Sequence, residues 1–327
     1  MLKLDITRVD WELRVPFTIS RETIVSIPCI QATLTDQNGK CGRGEAVGID
    51  YAGETPETMV AQIEAVRAVI EGGVTLATLQ SLLPHGGARN AVDCALWDLT
   101  AKQSGIRAWT AAGLDCFEPR PTAFSFGIMD EAQLRETAKH YTHFPLLKVK
   151  TDRERGLDPV RIIREIAPNA RFIVDPNQAW GADELTRFLP DYTRLNIALL
   201  EQPVDVQDDE VLRSLSLPVP IAADEAFNDR NDIPSFAGKY QVLNIKLDKT
   251  GGLTEALACA RAGLDAGYAI MVGCMVGSSL SMAPGTIIAQ MSDYVDLDGP
   301  LLQLADVEHP IYYFNGMISP PNAELWG

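Results

Sequence analysis

The spacing of apolar residues divides the chain into two parts. In the first part, residues 2–15 and 24–36 alternate polar and apolar side chains, and the turn dipeptide Asn38-Gly39 follows them, which predicts an antiparallel meander. Helical spacing comes next, with Pro56 suited to a first helical turn and Gly105 as a stop after residues 88–104. Residues 1–118 are therefore predicted to form an α+β domain.

From residue 119 onward, short apolar segments alternate with helical ones. The eight apolar segments are residues 122–128, 146–150, 172–175, 197–201, 221–224, 242–246, 270–274 and 294–298. Eight strand-and-helix units predict an α/β fold, a (β/α)8-type barrel over residues 119–302. Residues 303–327 have no ninth unit to join, so we expect this tail to return and complete the first domain.

Ionisable residues stand at the ends of many of these apolar segments. They are Lys148, Lys150, Asp175, Glu201, Asp224, Lys246, Asp296 and Asp298. From Lys150 to Lys246 the successive members are 22 to 26 residues apart, about the length of one strand with its crossover helix. Because the carboxyl ends of barrel strands open onto one mouth, these side chains are expected to converge there.

Three of these residues, Asp175, Glu201 and Asp224, follow successive strands. Their oxygens suit a magnesium ion, and the absence of Cys and His from the set argues against zinc. The alternative is that each acid caps the helix after its strand. Three acids in register between lysines favour the metal site, with one Mg²⁺ per subunit.

Lys148 and Lys150 are two residues apart on one predicted strand, so their ammonium groups share a face. Burying both against helices would be costly, so we expect them in the barrel mouth. There a neighbouring cation and a nearby metal would lower the pKa of an amine toward that of a working base. Lys246 would approach from the opposite side. One lysine could remove the α-proton next to a carboxylate and the other donate a proton to the opposite face, inverting configuration. The alternative for Lys-x-Lys is a solvated strand end.

Composition limits the class of partner. A chain of 327 residues that is 46% hydrophobic can bury a large core. The net charge of −16 disfavours nucleic acids and anionic membranes. The six cysteines show no paired spacing, and neither a membrane span nor a signal-peptide core is evident. We therefore expect a cytoplasmic protein with a small-molecule substrate; its oligomeric state, a homo-oligomer included, is left open.

Five motifs resemble the muconate-lactonizing-enzyme subgroup of the enolase superfamily. They are Lys148-Val149-Lys150, Asp175-Pro176-Asn177, Glu201-Gln202-Pro203, Asp224-Glu225 and Asn244-Ile245-Lys246. The resemblance covers essentially the whole chain and implies an α+β capping domain on a modified TIM-like barrel. It implies that Lys150 and Lys246 are the acid/base pair and that Lys148 lies near the substrate carboxylate. Asn177 and Glu225 would support the metal ligands.

The substrate depends on Asp296-Leu297-Asp298, which resembles the Asp-x-Asp of dipeptide epimerases. In those enzymes the pair binds the free ammonium group of the dipeptide. The alternative is a turn whose aspartates cap a helix. The resemblance thus implies a dipeptide epimerase acting on L-Ala-L/D-Glu or a similar dipeptide from cell-wall peptide turnover.

Three other functions stay open. Two belong to the same subgroup, an N-acyl amino acid racemase and a muconate-type cycloisomerase. The third is a metal- and dipeptide-binding protein without turnover, against which Lys150 and Lys246 argue, since binding alone needs no opposed bases.

Two further residues are candidates for substrate contact. Arg21, in an early loop over residues 17–24, resembles the loop arginine of L-Ala-D/L-Glu epimerases and could pair with a distal substrate carboxylate. The alternative is a surface arginine. Ser125 alternates with Phe124 and Phe126 on the first barrel strand, so the serine and the two rings face opposite sides. Ser125 is the candidate for the mouth.

Overall fold

A computed structural model describes all 327 residues. An antiparallel sheet begins the fold, with strands β1 (Lys3–Thr18), β2 (Thr23–Thr35) and β3 (Cys41–Ala46) in that order. The predicted meander is confirmed, although β3 was not foreseen as a strand. Its glycines allow helix contact, since a Cβ at Gly42 would lie 2.2 Å from the carbonyl oxygen of Ala95.

Five helices follow this sheet in the chain: α1 (Pro56–Ala65), α2 (Arg67–Glu71), α3 (Leu76–Leu82), α4 (Gly87–Ser104) and α5 (Ala108–Ala111), with a 3-10 turn at Asp50–Ala52. The Thr55 side chain caps the start of α1, and Gly105 ends α4 with a φ of 73°. A separate apolar cluster, which includes Ile30, Leu34 and Ile63, fills the space between this sheet and its helices.

Eight parallel strands follow in chain order after the short strand β4 (Arg120–Pro121). They are β5 (Ala123–Phe126), β6 (Leu146–Lys150), β7 (Arg171–Asp175), β8 (Ile197–Glu201), β9 (Ile221–Ala223), β10 (Val242–Ile245), β11 (Ala269–Val272) and β12 (Tyr294–Val295). The predicted barrel is confirmed. Between β12 and β5 the seam is linked through side chains, for example by Thr122 Oγ1 accepting from Leu297 N at 3.1 Å.

Most connections between the barrel strands are α-helical: α6 (Glu131–His140), α7 (Asp158–Ile166), α8 (Ala182–Arg187), α9 (Leu189–Arg194), α10 (Leu247–Thr250), α11 (Leu253–Asp265) and α12 (Ser279–Ala289). A short helix, α13 (Gly299–Leu302), follows the last strand. The connections on either side of β9 instead contain the 3-10 segments Val206–Ser214 and Ile233–Phe236. None of the helices combines the length and the apolar character needed to cross a bilayer.

Alternation along the strands positions the site. A layer of seven buried apolar residues fills one level of the barrel interior: Ala123, Leu146, Ile173, Leu199, Ala222, Val242 and Met271. Two residues further along six of these strands come Ser125, Lys148, Asp175, Glu201, Asp224 and Asn244, all of them buried. Because side chains alternate between faces, this polar set lies on the same face, one step nearer the carboxyl ends.

The tail contacts both parts of the molecule. Strands β13 (Tyr313–Phe314) and β14 (Met317–Ile318) form a hairpin beside β4. Trp326 is 1% exposed, and its indole N–H donates to the Cys94 carbonyl oxygen of α4 at 3.0 Å. The division into domains at residues 118 and 302 stays a prediction.

Candidate active site

A cavity of about 370 Å³ opens at the carboxyl ends of the barrel strands. The early loop and the segment around Asp50 cover it from one side, and the strand ends form the other. Eight of the residues predicted for catalysis, substrate or metal binding line it: Arg21, Ser125, Lys148, Lys150, Asp224, Lys246, Asp296 and Asp298. Asn177 and Glu225, predicted to support the metal ligands, line it too. Asp175 and Glu201 are fully buried and directly contact lysines that line the cavity.

Lys148 connects three carboxylates. Its Nζ lies 2.8 Å from Glu201 Oε1, 2.8 Å from Asp296 Oδ2 and 3.2 Å from Asp175 Oδ2. Lys148 is 3% exposed, so these carboxylates replace the water that its charge would otherwise bind.

Lys150 is held by the turn that follows β7. Its Nζ donates to Asp175 Oδ2 at 2.6 Å and to Asn177 Oδ1 at 3.0 Å. Asn177 has a φ of 46°, a conformation that asparagine tolerates better than most residues. Its backbone N–H donates to Asp175 Oδ1 at 2.9 Å, and its Nδ2 donates to Glu225 Oε1 at 3.3 Å. Asn177 thus fixes the orientation of both Asp175 and Lys150.

Lys246 and Lys249 hold the two oxygens of one carboxylate. Lys246 Nζ lies 2.7 Å from Asp224 Oδ2, and Lys249 Nζ lies 2.7 Å from Asp224 Oδ1. Lys249 also donates to the Asp224 carbonyl oxygen, and burial lowers its pKa despite these partners. The sequence analysis missed Lys249. Its spacing of three from Lys246, one helical turn, was the available signal.

The charges of the site shift one another strongly. Burial opposes ionisation of Asp175 and Asp224, but the neighbouring lysines outweigh it and hold both pKa values below the usual range. For Lys148, burial favours the neutral amine, yet Asp296, Glu201 and Asp175 raise its pKa well above the ordinary value. The pKa of Lys148 is therefore set by its carboxylate neighbours, and the expectation that a second cation and a metal lower it stays a prediction.

The donor set suits a hard cation. Burial and then repulsion from Asp175 raise the pKa of Glu201 to about 8, and Glu201 Oε2 is a buried oxygen without a hydrogen-bond partner. As placed, lysine ammonium groups lie between the carboxylates, and no three acids converge closely enough to hold an ion. Three buried carboxylates with one oxygen unpaired still fit magnesium if the side chains reorient. The ligand roles stay a prediction.

Asp296 and Asp298 are both buried at the last strand end. Asp298 Oδ2 accepts from the Ser125 N–H at 2.6 Å, and the Ser125 hydroxyl donates to Asp296 Oδ1 at 3.3 Å. Asp298 precedes α13 but makes no capping hydrogen bond with it, contrary to the helix-cap alternative. Burial and the charge of Asp296 raise the pKa of Asp298 to about 7.

Arg21 lines the cavity and is also partly exposed to solvent. Its Nη1 is 2.9 Å from Glu225 Oε1, and its guanidinium is 5.3 Å from the ring centroid of Tyr51. The side chain is 33% exposed, so it can still meet a ligand. Contact between Arg21 and a substrate stays a prediction.

A capped parallel barrel with lysines and carboxylates at its mouth defines a class of enzyme suited to removing protons next to carboxylates. Two family models match the chain, the N-terminal domain of mandelate racemase/muconate lactonizing enzyme over residues 1–110 and the enolase C-terminal domain-like model over residues 129–324. The chain therefore belongs to the mandelate racemase/muconate lactonizing enzyme family of the enolase superfamily. This confirms the resemblance read from its sequence and the expectation of an isomerase.

Two curated relatives cover most of the chain. An N-acetyl-D-glutamate racemase from a Pseudoalteromonas species is 40% identical over 87% of this chain and 91% of its own length. The L-Ala-D/L-Glu epimerase of Escherichia coli K12 is 36% identical over 94% of this chain and 96% of its own length.

Two solved structures share the fold of this chain over nearly its whole length. An enolase family member from Agrobacterium tumefaciens, described with bound sodium and L-Ala-L-Glu, is 38% identical and superposes with a TM-score of 0.97 over 100% of both chains. A dipeptide epimerase from Methylococcus capsulatus, complexed with Mg and L-Arg-D-Lys, is 29% identical with a TM-score of 0.89 over 97% of this chain and 96% of its own.

Proposed function

We propose that the protein is a magnesium-dependent dipeptide epimerase that inverts the α-carbon of the C-terminal residue in a dipeptide such as L-Ala-L/D-Glu. The observation that carries this proposal is the buried pair Asp296 and Asp298 in the same cavity as Lys150 and Lys246. The lysines account for proton transfer, and the aspartates account for a cationic substrate group.

Lys150 and Lys246 act as the two bases. They stand at the carboxyl ends of the second and sixth of eight strands, so their amines approach a substrate in the cavity from different sides. One amine takes the α-proton and the opposed ammonium returns one to the other face, which inverts configuration. Asp175 orients the amine of Lys150, and Asp224 orients that of Lys246.

Asp175, Glu201 and Asp224 would hold the magnesium ion. When bound, the ion supplies positive charge that stabilises the substrate carboxylate as negative charge develops during α-proton removal. Lys148 supplies a second cation beside the same carboxylates, and Asn177 and Glu225 restrict how the metal ligands can turn.

The substrate ammonium would complete the environment of Asp298. Lys148 already pairs with Asp296. Asp298 accepts a hydrogen bond from Ser125 but forms no salt bridge with a lysine, arginine or histidine. A free α-ammonium group placed there would remove the penalty of a buried, unpaired carboxylate. Ser125 acts through the two acids that it orients.

Arg21 is proposed to meet a side-chain carboxylate of the substrate, consistent with a C-terminal glutamate. The E. coli and Agrobacterium relatives are described with Ala-Glu dipeptides. Such a dipeptide would come from cell-wall peptide turnover, and we infer a cytoplasmic site of action.

A second candidate is an N-acyl amino acid racemase, favoured by one specific observation. Because burial raises the pKa of Asp298 to about 7, a protonated Asp298 could donate a hydrogen bond to an acyl oxygen. The Pseudoalteromonas relative is an N-acetyl-D-glutamate racemase.

Parallel measurement of kcat/KM for L-Ala-L-Glu, its N-acetyl form and N-acetyl-L-glutamate separates the two. Loss of the charge-assisted contact, on the order of 2 to 5 kcal/mol, should make the free dipeptide better than its N-acetyl form by at least tens-fold. If N-acetyl-L-glutamate is racemised as well as or better than any free dipeptide, the epimerase proposal fails and the racemase takes its place.

A further inference from the structure

The segment that follows Lys246 is a single helical turn, α10, that ends at two glycines. Gly251 and Gly252 have φ values of 74° and 112°, a backbone conformation that residues other than glycine rarely adopt. This turn also carries Lys249, the second partner of Asp224. Its placement therefore sets the position of Lys246 and of the carboxylate paired with it.

Arg89, on the N-terminal helix α4, binds the end of this turn. Its Nη2 donates to the Thr250 carbonyl oxygen at 2.7 Å and its Nε donates to the Gly251 carbonyl oxygen at 3.1 Å. The last carbonyls of a helical turn have no partner within the turn, so an arginine fork can satisfy two of them together. The remaining Nη1 donates to the carbonyl oxygens of Gln80 and Leu83 at 3.1 and 3.3 Å. Arg89 is 7% exposed and joins α3 to α10.

Asp93, one turn further along α4, binds the next helix. Its Oδ1 accepts from the Thr254 N–H at 3.1 Å. The two glycines are required for this fit, because a Cβ at Gly251 would lie 2.4 Å from Arg89 Nε and one at Gly252 would lie 2.5 Å from Asp93 Cβ. The N-terminal region thus holds residues 250–254 through direct contacts on both sides of the glycine pair.

The segment after Lys150 is held differently. Thr151 N donates to the Asp175 carbonyl oxygen at 3.1 Å, and its hydroxyl donates to the Gly156 carbonyl oxygen at 2.7 Å. The Trp180 indole donates to the Asp152 carbonyl oxygen at 3.0 Å. All of these partners belong to the barrel segment of the chain. The two lysines therefore depend on different parts of the molecule for their placement.

We propose that Arg89, assisted by Asp93, is a positioning residue for the half of the reaction in which Lys246 exchanges the proton. The inference rests on the proposed function, since it assigns one lysine to each face of the α-carbon. A shift of about 1 Å in a catalytic group can slow its step on the order of a hundredfold. Loosening α10 should therefore impair the Lys246 face selectively.

The test compares deprotonation of the two epimers. Purified enzyme with Mg²⁺ in heavy water receives L-Ala-L-Glu or L-Ala-D-Glu separately, and the initial loss of the α-proton signal is followed by NMR. Lys150→Ala and Lys246→Ala identify which epimer each lysine serves. Arg89→Met removes the four hydrogen bonds, and Arg89→Lys keeps the charge as a milder variant should the first not fold.

Arg164→Met is the matched control. Arg164 also binds backbone carbonyls, with Nη1 at 2.7 Å from the Pro168 oxygen and Nη2 at 2.8 Å from the Ala170 oxygen, and burial lowers its pKa as it does that of Arg89. It lies on α7, the helix that follows Lys150 in the barrel segment of the chain. Thermal unfolding of each variant reports the general loss of stability.

In Arg89→Met the ratio of the two rates should shift about tenfold or more, in the same direction as in Lys246→Ala, with a smaller shift for Arg89→Lys. Arg164→Met should leave the ratio within about twofold even where it lowers the unfolding temperature. If both epimers slow equally in the Arg89 variants while the two lysine variants still select opposite epimers, the positioning role of Arg89 is overturned and the two-base function stands. If the lysine variants do not select opposite epimers, the two-base function itself fails and the inference fails with it.

Discussion

Asp298 is a buried acid that accepts a hydrogen bond from Ser125 and forms no salt bridge. Replacing it by Asn keeps an oxygen that can accept from the Ser125 N–H, 2.6 Å away in the structure, but removes the charge that would pair with an ammonium group. We expect Asp298→Asn to lower kcat/KM for L-Ala-L-Glu by roughly 30-fold or more and to affect N-acetylated compounds less.

The control for this variant lies five residues earlier in the chain. Asp293→Asn changes an exposed acid near the opposite end of β12, where its Oδ2 accepts from the Ile270 N–H at 3.1 Å. Equal losses for free and acetylated substrates in Asp298→Asn would contradict an ammonium-binding role.

Lys249 orients Asp224, one of the predicted metal ligands, through a buried ion pair. Because its Nζ fixes Asp224 Oδ1 at 2.7 Å, Lys249→Met should weaken Mg²⁺ binding about 10- to 100-fold, the usual effect of losing a supporting hydrogen bond. Titration calorimetry with Mg²⁺ measures this without turnover. Lys239→Met is the control, since Lys239 is also buried and pairs with Asp209 at 2.8 Å, away from the predicted ligands. Similar losses of Mg²⁺ affinity in both variants would indicate general destabilisation.

At the scale of elements, the three predicted metal ligands stand at the ends of the neighbouring strands β7, β8 and β9. Exhaustive chelation should therefore abolish epimerisation, and added Mg²⁺ should restore it, because buried carboxylates without the ion cannot stabilise a developing enolate charge. The measurement is the rate before chelation, after it and after Mg²⁺ is restored. Full turnover in the chelated protein would rule out this use of Asp175, Glu201 and Asp224.

The alternation of side chains made most elements of the barrel predictable. Strands β6 and β8 have the predicted bounds, residues 146–150 and 197–201, because each begins with apolar residues and ends at a charged one, although Lys148 also lies inside β6. Strand β3 was not predicted because its sequence contains two glycines, Gly42 and Gly44, which break the alternation of a strand. Glycine is needed at both positions because α4 packs too closely for a Cβ. The 3-10 connections around β9 likewise lack a helical apolar repeat.

Convergence of the site residues was predictable for the same reason, since strand register fixes which side chains share the mouth. What the sequence could not supply was which charge pairs with which. Lys148 and Lys246 have raised pKa values because, against the effect of burial, each lies within 3 Å of a carboxylate. Such pairing depends on distances that spacing along the chain does not determine.

At the scale of the whole molecule, the C-terminal tail returns to the N-terminal helix α4. Trp326 is 1% exposed and donates to the Cys94 carbonyl oxygen. Trp326→Ala should lower the free energy of unfolding by about 3 to 5 kcal/mol, as for other large-to-small changes in a core. Tyr312→Ala, at a side chain that is 69% exposed, should change it by less than about 0.5 kcal/mol. Urea denaturation measures both, and a negligible effect at Trp326 would contradict a structural role for the tail.

The central claim is that two lysines exchange one α-proton from opposite faces of a dipeptide. The most direct measurement is NMR of L-Ala-L-Glu in heavy water with Mg²⁺ and the wild-type protein, Lys150→Ala or Lys246→Ala. The wild type should yield both epimers of the C-terminal residue with deuterium at its α-carbon. Each variant should give no epimer, while one of the two still loses its α-proton from the intact face. Unchanged epimerisation in either variant, or an α-proton that the wild type never exchanges, would contradict the account.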